Sequence, residues 1–346
     1  MIHQTEGMLL DQNERQLLEE GRQHELAGRS TEAMECYAAI IDLAGVEGDQ
    51  QARAEALRCL SVLHHLRAEQ DVAAELCRRS RAVAIEAGVA DLAAEADNAL
   101  AGFALERGEL EVAAELCGAA LEVAGENPAL RAKIEQNLGL VANIRCEWDL
   151  ALEHYNRSLE AYRSISDTAG CATAHHNLGM MHAKQKNWQE ADRHYRRCHG
   201  MAEAVGNRHL SGLAALNRAE VRLAIDDTDG AKSGAEEALR IFNEIEARRD
   251  KAGAHRMLGV VFRQRSQMAL AESHLRSALE IAATAQCPLI EAHAARELAL
   301  LYQFQGRPET AMTFLMRARA IYHYLEAVAD LAEIEKQIIS CCAAAS

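Results

Sequence analysis

Apolar residues along the chain recur at helical spacing, and small residues recur among them at a second, much longer interval. The Leu-Gly pair of Gln136-Asn137-Leu138-Gly139-Leu140 is followed twelve residues on by Ala151, four further by Tyr155 and three further by Ser158. His176-Asn177-Leu178-Gly179-Met180 repeats this with Ala191, Tyr195 and Cys198. Across the chain the Ala of the framework falls at Ala33, Ala73, Ala113, Ala151, Ala191, Ala231, Ala271 and Ala311, at intervals of 40 apart from one of 38. Self-similarity at such a period is the mark of stacked structural repeats.

Each period follows one grammar. A first helix ends at a short polar or Gly break, as at Gly108-Glu109 or Lys186-Asn187-Trp188. A second helix then stops at a Gly or polar pair and hands over to an Asp or Asn able to cap the next: Gly45 with Asp49, Gly88 with Asp91, Gly125 with Asn127, Gly206 with Asn207. Gly28 marks a similar break early in the chain. The expected fold is all-α, a right-handed α-solenoid of eight helical-hairpin repeats in one continuous array, closed by a C-terminal capping helix. Residues 1–8 are expected to be a flexible start. The repeats fall at about 9–48, 49–88, 89–126, 127–166, 167–206, 207–246, 247–286 and 287–327, with cap and tail at 328–346. Gly139, Gly179 and Gly259 are expected to let helices cross closely against Ala151, Ala191 and Ala271. The two residues missing from the 38-residue interval are assigned to the loop Gly125-Glu126-Asn127-Pro128. In the last helix Leu331, Ile334, Ile338 and Cys341 line one side.

Composition narrows the function. Only three Pro interrupt the chain, and a net charge of −15 argues against general nucleic-acid binding. The ten Cys include no C-x-x-C pair and read as small buried hydrophobes in a reducing compartment. Neither a membrane span nor a signal peptide is present, so a cytoplasmic protein without membrane insertion is expected. His24, His64 and His182 share a column with Phe262 and Tyr302, which reads as packing; His154, His194 and His274 share a second-helix column, which reads as ordinary exposed surface. No metal site, cofactor or catalytic residue is assigned, for the chain carries no H-E-x-x-H, G-x-S-x-G or phosphate loop. The expectation is a protein that is not an enzyme.

Leu258-Gly259-Val260-Val261-Phe262, with Ala271, Leu275 and Ala278, resembles the tetratricopeptide repeat over about residues 9–327. The 40-residue period and the missing Pro after the second helix depart from the usual pattern, and are similar to Pins adaptors, kinesin light chains and bacterial Rap-type peptide receptors. That resemblance implies a concave groove lined by first helices and holding a peptide, so a scaffold or adaptor that binds without catalysis. A Rap-type sensor whose superhelix changes shape on peptide binding is the alternative.

Asn137, Asn177 and Asn217 occupy one column. Asn within a helix costs about 0.5 kcal/mol relative to Ala, and its carboxamide can pair with both N–H and C=O of a peptide main chain. In tetratricopeptide groove binders an Asn ladder of this kind clamps the ligand. Beside it on the expected groove face lie Lys133, His176, Lys184, Arg256, Arg263 and Arg296, which suit an acidic segment, and Met180 and Met181, an adaptable apolar floor. The partner is expected to be a protein or peptide. The oligomeric state stays open, since the Leu331 helix could also pair with a second copy.

Overall fold

The structure is a computed structural model that describes the backbone of residues 2–26, 29–44, 48–67, 69–125 and 127–345, and their side chains except over 2–12, at 26 and 44, and over 343–345. Seventeen helices and no strand are found among the described residues. They fall into two compact units, residues 1–167 and 168–346. The first unit holds α1 (Ile2–Leu26), α2 (Ser30–Ala44), α3 (Gln50–Leu66), α4 (Gln70–Glu86), α5 (Ala90–Glu106), α6 (Leu110–Val123), α7 (Pro128–Ile144) and α8 (Trp148–Ser164). The second holds α9 (Thr168–Lys184), α10 (Trp188–Ala204), α11 (Arg208–Ala224), α12 (Thr228–Glu244), α13 (Arg248–Gln264), α14 (Met268–Thr284), α15 (Pro288–Phe304), α16 (Pro308–Tyr324) and α17 (Val328–Ala345). The array read from the period as continuous is therefore grouped in two, and α1 takes in residues 2–8.

The 40-residue period is a 20-residue one doubled. From α3 to α16 a helix of 17 residues alternates with a three-residue link, α6 being the exception. Every link whose second residue is described turns on that residue, which adopts a positive φ: Gly88, Gly108, Gly125, Gly206 and Gly306, but also Cys146, Ser166, Lys186, Asp226, Glu246, Ser266, Gln286 and Glu326. The next amide bonds back to a carbonyl five residues earlier, as Asn187 N to His182 O at 2.8 Å and Asp227 N to Arg222 O at 2.9 Å. This satisfies the loose carbonyls at the helix end. Gly28 and Gly45, also read as breaks, lie outside the described residues.

Asp49, Asn127 and Asn207 cap α3, α7 and α11 through their side chains. Asp91 does not cap α5. The cap is Val89, and Asp91 sits in the first turn accepting from Asn127 Nδ2 at 3.1 Å. The short interval is also placed differently from expectation. α6 has 14 residues, ending at Val123, so the loss comes from the helix and not the loop.

The framework residues form the core. All eight column Ala residues are fully buried, as are Tyr37, Cys77, Cys117, Leu275 and Leu315 in the bulky column, with Tyr155 and Tyr195 nearly so. Burying a side chain of such size contributes roughly 2–3 kcal/mol. The glycines face that bulky column directly, not the Ala column alone: Gly21 meets Tyr37, Gly139 Tyr155, Gly179 Tyr195 and Gly259 Leu275. Hydroxyls in the third column fasten hairpins from within, Ser80 Oγ to Ala54 O at 2.6 Å and Ser158 Oγ to Ala132 O at 2.8 Å. In the second unit α17 buries Ile334 and Cys341 where it packs on α16, with Leu331 and Ile338 partly covered.

First helices touch the next first helix of their unit, α1 to α3 to α5 to α7, and α9 to α11 to α13 to α15. Among the described residues of each unit no second helix makes more than passing contact with the next. The first helices thus form the close-packed layer of each unit, and the columns exposed on it are the ones a ligand could meet.

Candidate functional site

In the second unit, Asn177 and His176 on α9 and Asn217 on α11 form one chain of contacts. Asn217 Nδ2 lies 3.0 Å from His176 Nε2, so the imidazole accepts and carries its proton on Nδ1. His176 also meets Asn177, and Asn217 reaches the hydroxyl of Tyr195 on α10. Burial holds the His176 imidazole below its usual pKa; contact with Asn177 opposes this and nearby His209 adds to it. One amide therefore binds three helices together. All three polar residues are half-buried, leaving part of each at the surface.

The first unit repeats the relation at Asn137. Its Nδ2 donates to Asn98 O at 3.2 Å and Asn98 Oδ1 at 3.0 Å, tying α7 to α5. Each amide reaches back to the residue one place before its own column in the preceding hairpin. Such an amide retains further hydrogen-bonding capacity, since a carboxamide offers two N–H groups and an oxygen with two lone pairs.

The cations are placed less simply. Arg256 bonds Glu220 at 2.7 Å and Arg263 bonds Glu297 at 2.9 Å, while Arg296 stands 3.6 Å from Asp330. In the first unit Arg58 lies 2.9 Å from Glu95. These pairs join a helix to the next one of its layer, so the arginines expected to draw an acidic segment already have carboxylate partners. Lys133 and Lys184 are exposed. Met180 is partly buried against Tyr195, Val221 and Ala191. Met181 is fully buried and cannot be part of a floor.

The column His154, His194 and His274, expected as exposed surface, is half-buried instead. His194 and His274 are half-buried and face His175 and His255, while His154 faces Glu135. The signal available was a separation of nineteen, Glu135 to His154, His175 to His194 and His255 to His274, which joins a first helix to the second of the same hairpin. Among the described residues no group of three or more His, Cys, Asp or Glu could hold a metal ion. No helix of the described residues is long and apolar enough to cross a membrane.

Helical hairpins built mostly of 17-residue helices, stacked through a layer of first helices and punctuated by small residues, define a helical-repeat protein. A tetratricopeptide repeat family model matches residues 129–204 and 170–244, and the fold of the chain is tetratricopeptide-like. Among solved structures it is similar to a Signal Transduction ATPase with Numerous Domains with a tetratricopeptide repeat sensor from Pyrococcus horikoshii, at TM-score 0.69 and 17% identity over 91% of this chain and 48% of that one. The chain thus spans about half the length of that protein. It is similar to a Rap protein complexed with Competence and Sporulation Factor, at TM-score 0.63 and 12% identity over 95% of this chain and 98% of that one. The apo form of RapI aligns at TM-score 0.59 and 17% identity over 79% and 98%. At these identities the likeness is one of fold. A comparison with curated protein sequences finds no match.

Proposed function

We propose that the protein is a non-enzymatic, cytoplasmic scaffold or adaptor whose first-helix layer holds a peptide segment of a partner protein. Tetratricopeptide arrays offer extended surfaces suited to this, and the single observation that carries the reading is the half-buried Asn177–His176–Asn217 chain. These polar groups lie where a peptide main chain could add to the network, with Met180 and Lys184 on the same helix and Arg256 two helices along. Asn137 and Lys133 are the corresponding polar positions of the first unit. Because Arg256 and Arg263 are paired, backbone recognition carries more of the proposed affinity than attraction to an acidic segment.

The test is affinity capture from the source cell with wild type and an Asn137→Ala, Asn177→Ala, Asn217→Ala variant whose helix content is verified by circular dichroism. Loss of one shared set of proteins supports the site, and undiminished capture by the folded variant overturns it. A Rap-type sensor is a second reading, favoured by the match to nearly the whole length of the Rap protein. It predicts compaction in solution scattering when the captured segment is added as a synthetic peptide, and an unchanged profile at saturation rejects it.

A further inference from the structure

Three hairpins carry a contact at one equivalent place. In α7/α8 it joins Glu135 Oε2 to His154 Nδ1 at 2.6 Å. In α9/α10 and α13/α14 it sets imidazole against imidazole, His175 Nδ1 to His194 Nδ1 at 2.9 Å and His255 Nδ1 to His274 Nδ1 at 3.0 Å. A further ring stacks on each pair, His182 on His194 and Phe262 on His274, both at 5.3 Å between centroids. His175 is fully buried and the other three paired rings are half-buried.

We propose that the two imidazole pairs are acid-labile clasps, which loosen α10 from α9 and α14 from α13 on acidification, while the Glu135–His154 contact keeps α8 on α7. With both rings neutral, one Nδ1–H donates to the other Nδ1. A first proton leaves that N–H···N bond intact. A second puts two N–H groups nose to nose and two like charges about 3 Å apart, so a closed pair holds at most one proton. Opened, both rings protonate freely. A carboxylate facing an imidazole behaves in the opposite way, since the ring's proton strengthens the contact.

The surrounding charges do not rescue the pairs. His194 is held down to about 3, first by burial, then by His175 and His182 on α9 and by Arg197 and Arg193 on its own helix. Glu190 favours the charged form of His182, but burial outweighs it. From α11, Arg218 and Arg222 face α10 and are both turned onto Asp192. His255 is lowered to about 4 by burial, His274 and Lys251. Glu236 on α12 favours charged His274 less than burial disfavours it. With folded values depressed below the ordinary 6.5, the stability these rings confer is complete above about pH 6.5 and is lost as pH falls toward 4 and 3.

The nitrogen spacing would also suit two ligands on one metal ion. The third ring argues against that: it stacks by its face, and in α13/α14 it is Phe262, which has no donor atom.

Hydrogen exchange of the full chain at pH 7.5 and pH 5.0, corrected for intrinsic rates and carried out with and without EDTA, tests the proposal. A pair that refuses one proton taken up on opening should open roughly 30-fold more often at pH 5. Protection should therefore fall by about that factor in α9–α10 and α13–α14, and not in α7–α8. Equal change in all three hairpins, or none in the two carrying imidazole pairs, overturns the proposal; so does loss of protection on chelation at pH 7.5, which would reveal a metal. His175→Glu with His255→Glu, which copies the Glu135–His154 arrangement, should abolish the acid effect. The wild-type comparison decides the matter by itself if that variant does not fold.

Discussion

A Cβ added to Gly179 would stand 2.7 Å from Cε1 of Tyr195, and one added to Gly139 would stand 2.6 Å from Cε1 of Tyr155. Both rings are nearly fully buried and have nowhere to retreat. Gly179→Ala and Gly139→Ala should each destabilise by about 1–3 kcal/mol through overpacking, read from urea or thermal unfolding. Gly102 and Gly200 are the controls. They lie within helices with nothing near the added atom, so Ala there should stabilise by about 0.5–1 kcal/mol.

Lys186 and Glu246 are exposed and hold positive φ in their links. Replacing either by Gly should stabilise by about 0.5–1 kcal/mol, seen as a raised urea midpoint, because the left-handed conformation strains a side chain with a Cβ. A lowered midpoint would mean that these corners contribute something besides conformation.

Asn217→Ala removes the donor to His176 and should destabilise by about 1 kcal/mol, measurable in a melt with the helix content unchanged at low temperature. Asn217→Asp keeps the shape but replaces the donor with an acceptor, so His176 must carry a proton on Nε2 to keep the contact, and its pKa should rise, as an NMR titration would read. His176→Ala in the Asn217→Ala background should then cost less than His176→Ala alone, which a double-mutant cycle reads directly.

Arg263→Ala leaves the largely buried Glu297 without its 2.9 Å partner. A loss of about 1–2 kcal/mol is expected, the larger part of it recovered by adding Glu297→Gln. Recovery would mark Arg263 as a link between α13 and α15 ahead of any role toward a ligand.

The thiols should divide sharply under a disulfide reagent. Burial pushes Cys77 up to about 11 and Cys117 and Cys198 up to about 12, whereas Cys146 and Cys342 are exposed. Native protein should react first at Cys146 and Cys342, and at the buried three only after denaturation, as peptide mapping would register.

Repeat framework, helix pairing and core were legible because each column states its burial repeatedly: Ala151, Ala191 and Ala271 say the same thing in three places. The closing helix was legible from Leu331, Ile334, Ile338 and Cys341, whose spacing puts them on one side. What the sequence concealed depends on a second partner. Arg256 looks like a free cation until α11 brings Glu220 to it, and Asn217 looks like a ladder rung until His176 receives its proton. His194 reads as surface when the second-helix column is taken alone, without the position nineteen residues earlier, where His175 meets it. The corners were concealed as well, because Lys186, Ser166 and Glu246 do work commonly given to Gly, and only the even spacing of the helices exposes it.

That even spacing makes the chain editable by whole hairpins. Within a unit a pair of helices presents to its successor the helix face it receives from its predecessor, so duplication or deletion of forty residues keeps the helix register, while the bulky column, Tyr155 or Leu275, must be refitted. α6, the helix that breaks the metre, shows that a two-residue lapse is tolerated when a helix end absorbs it.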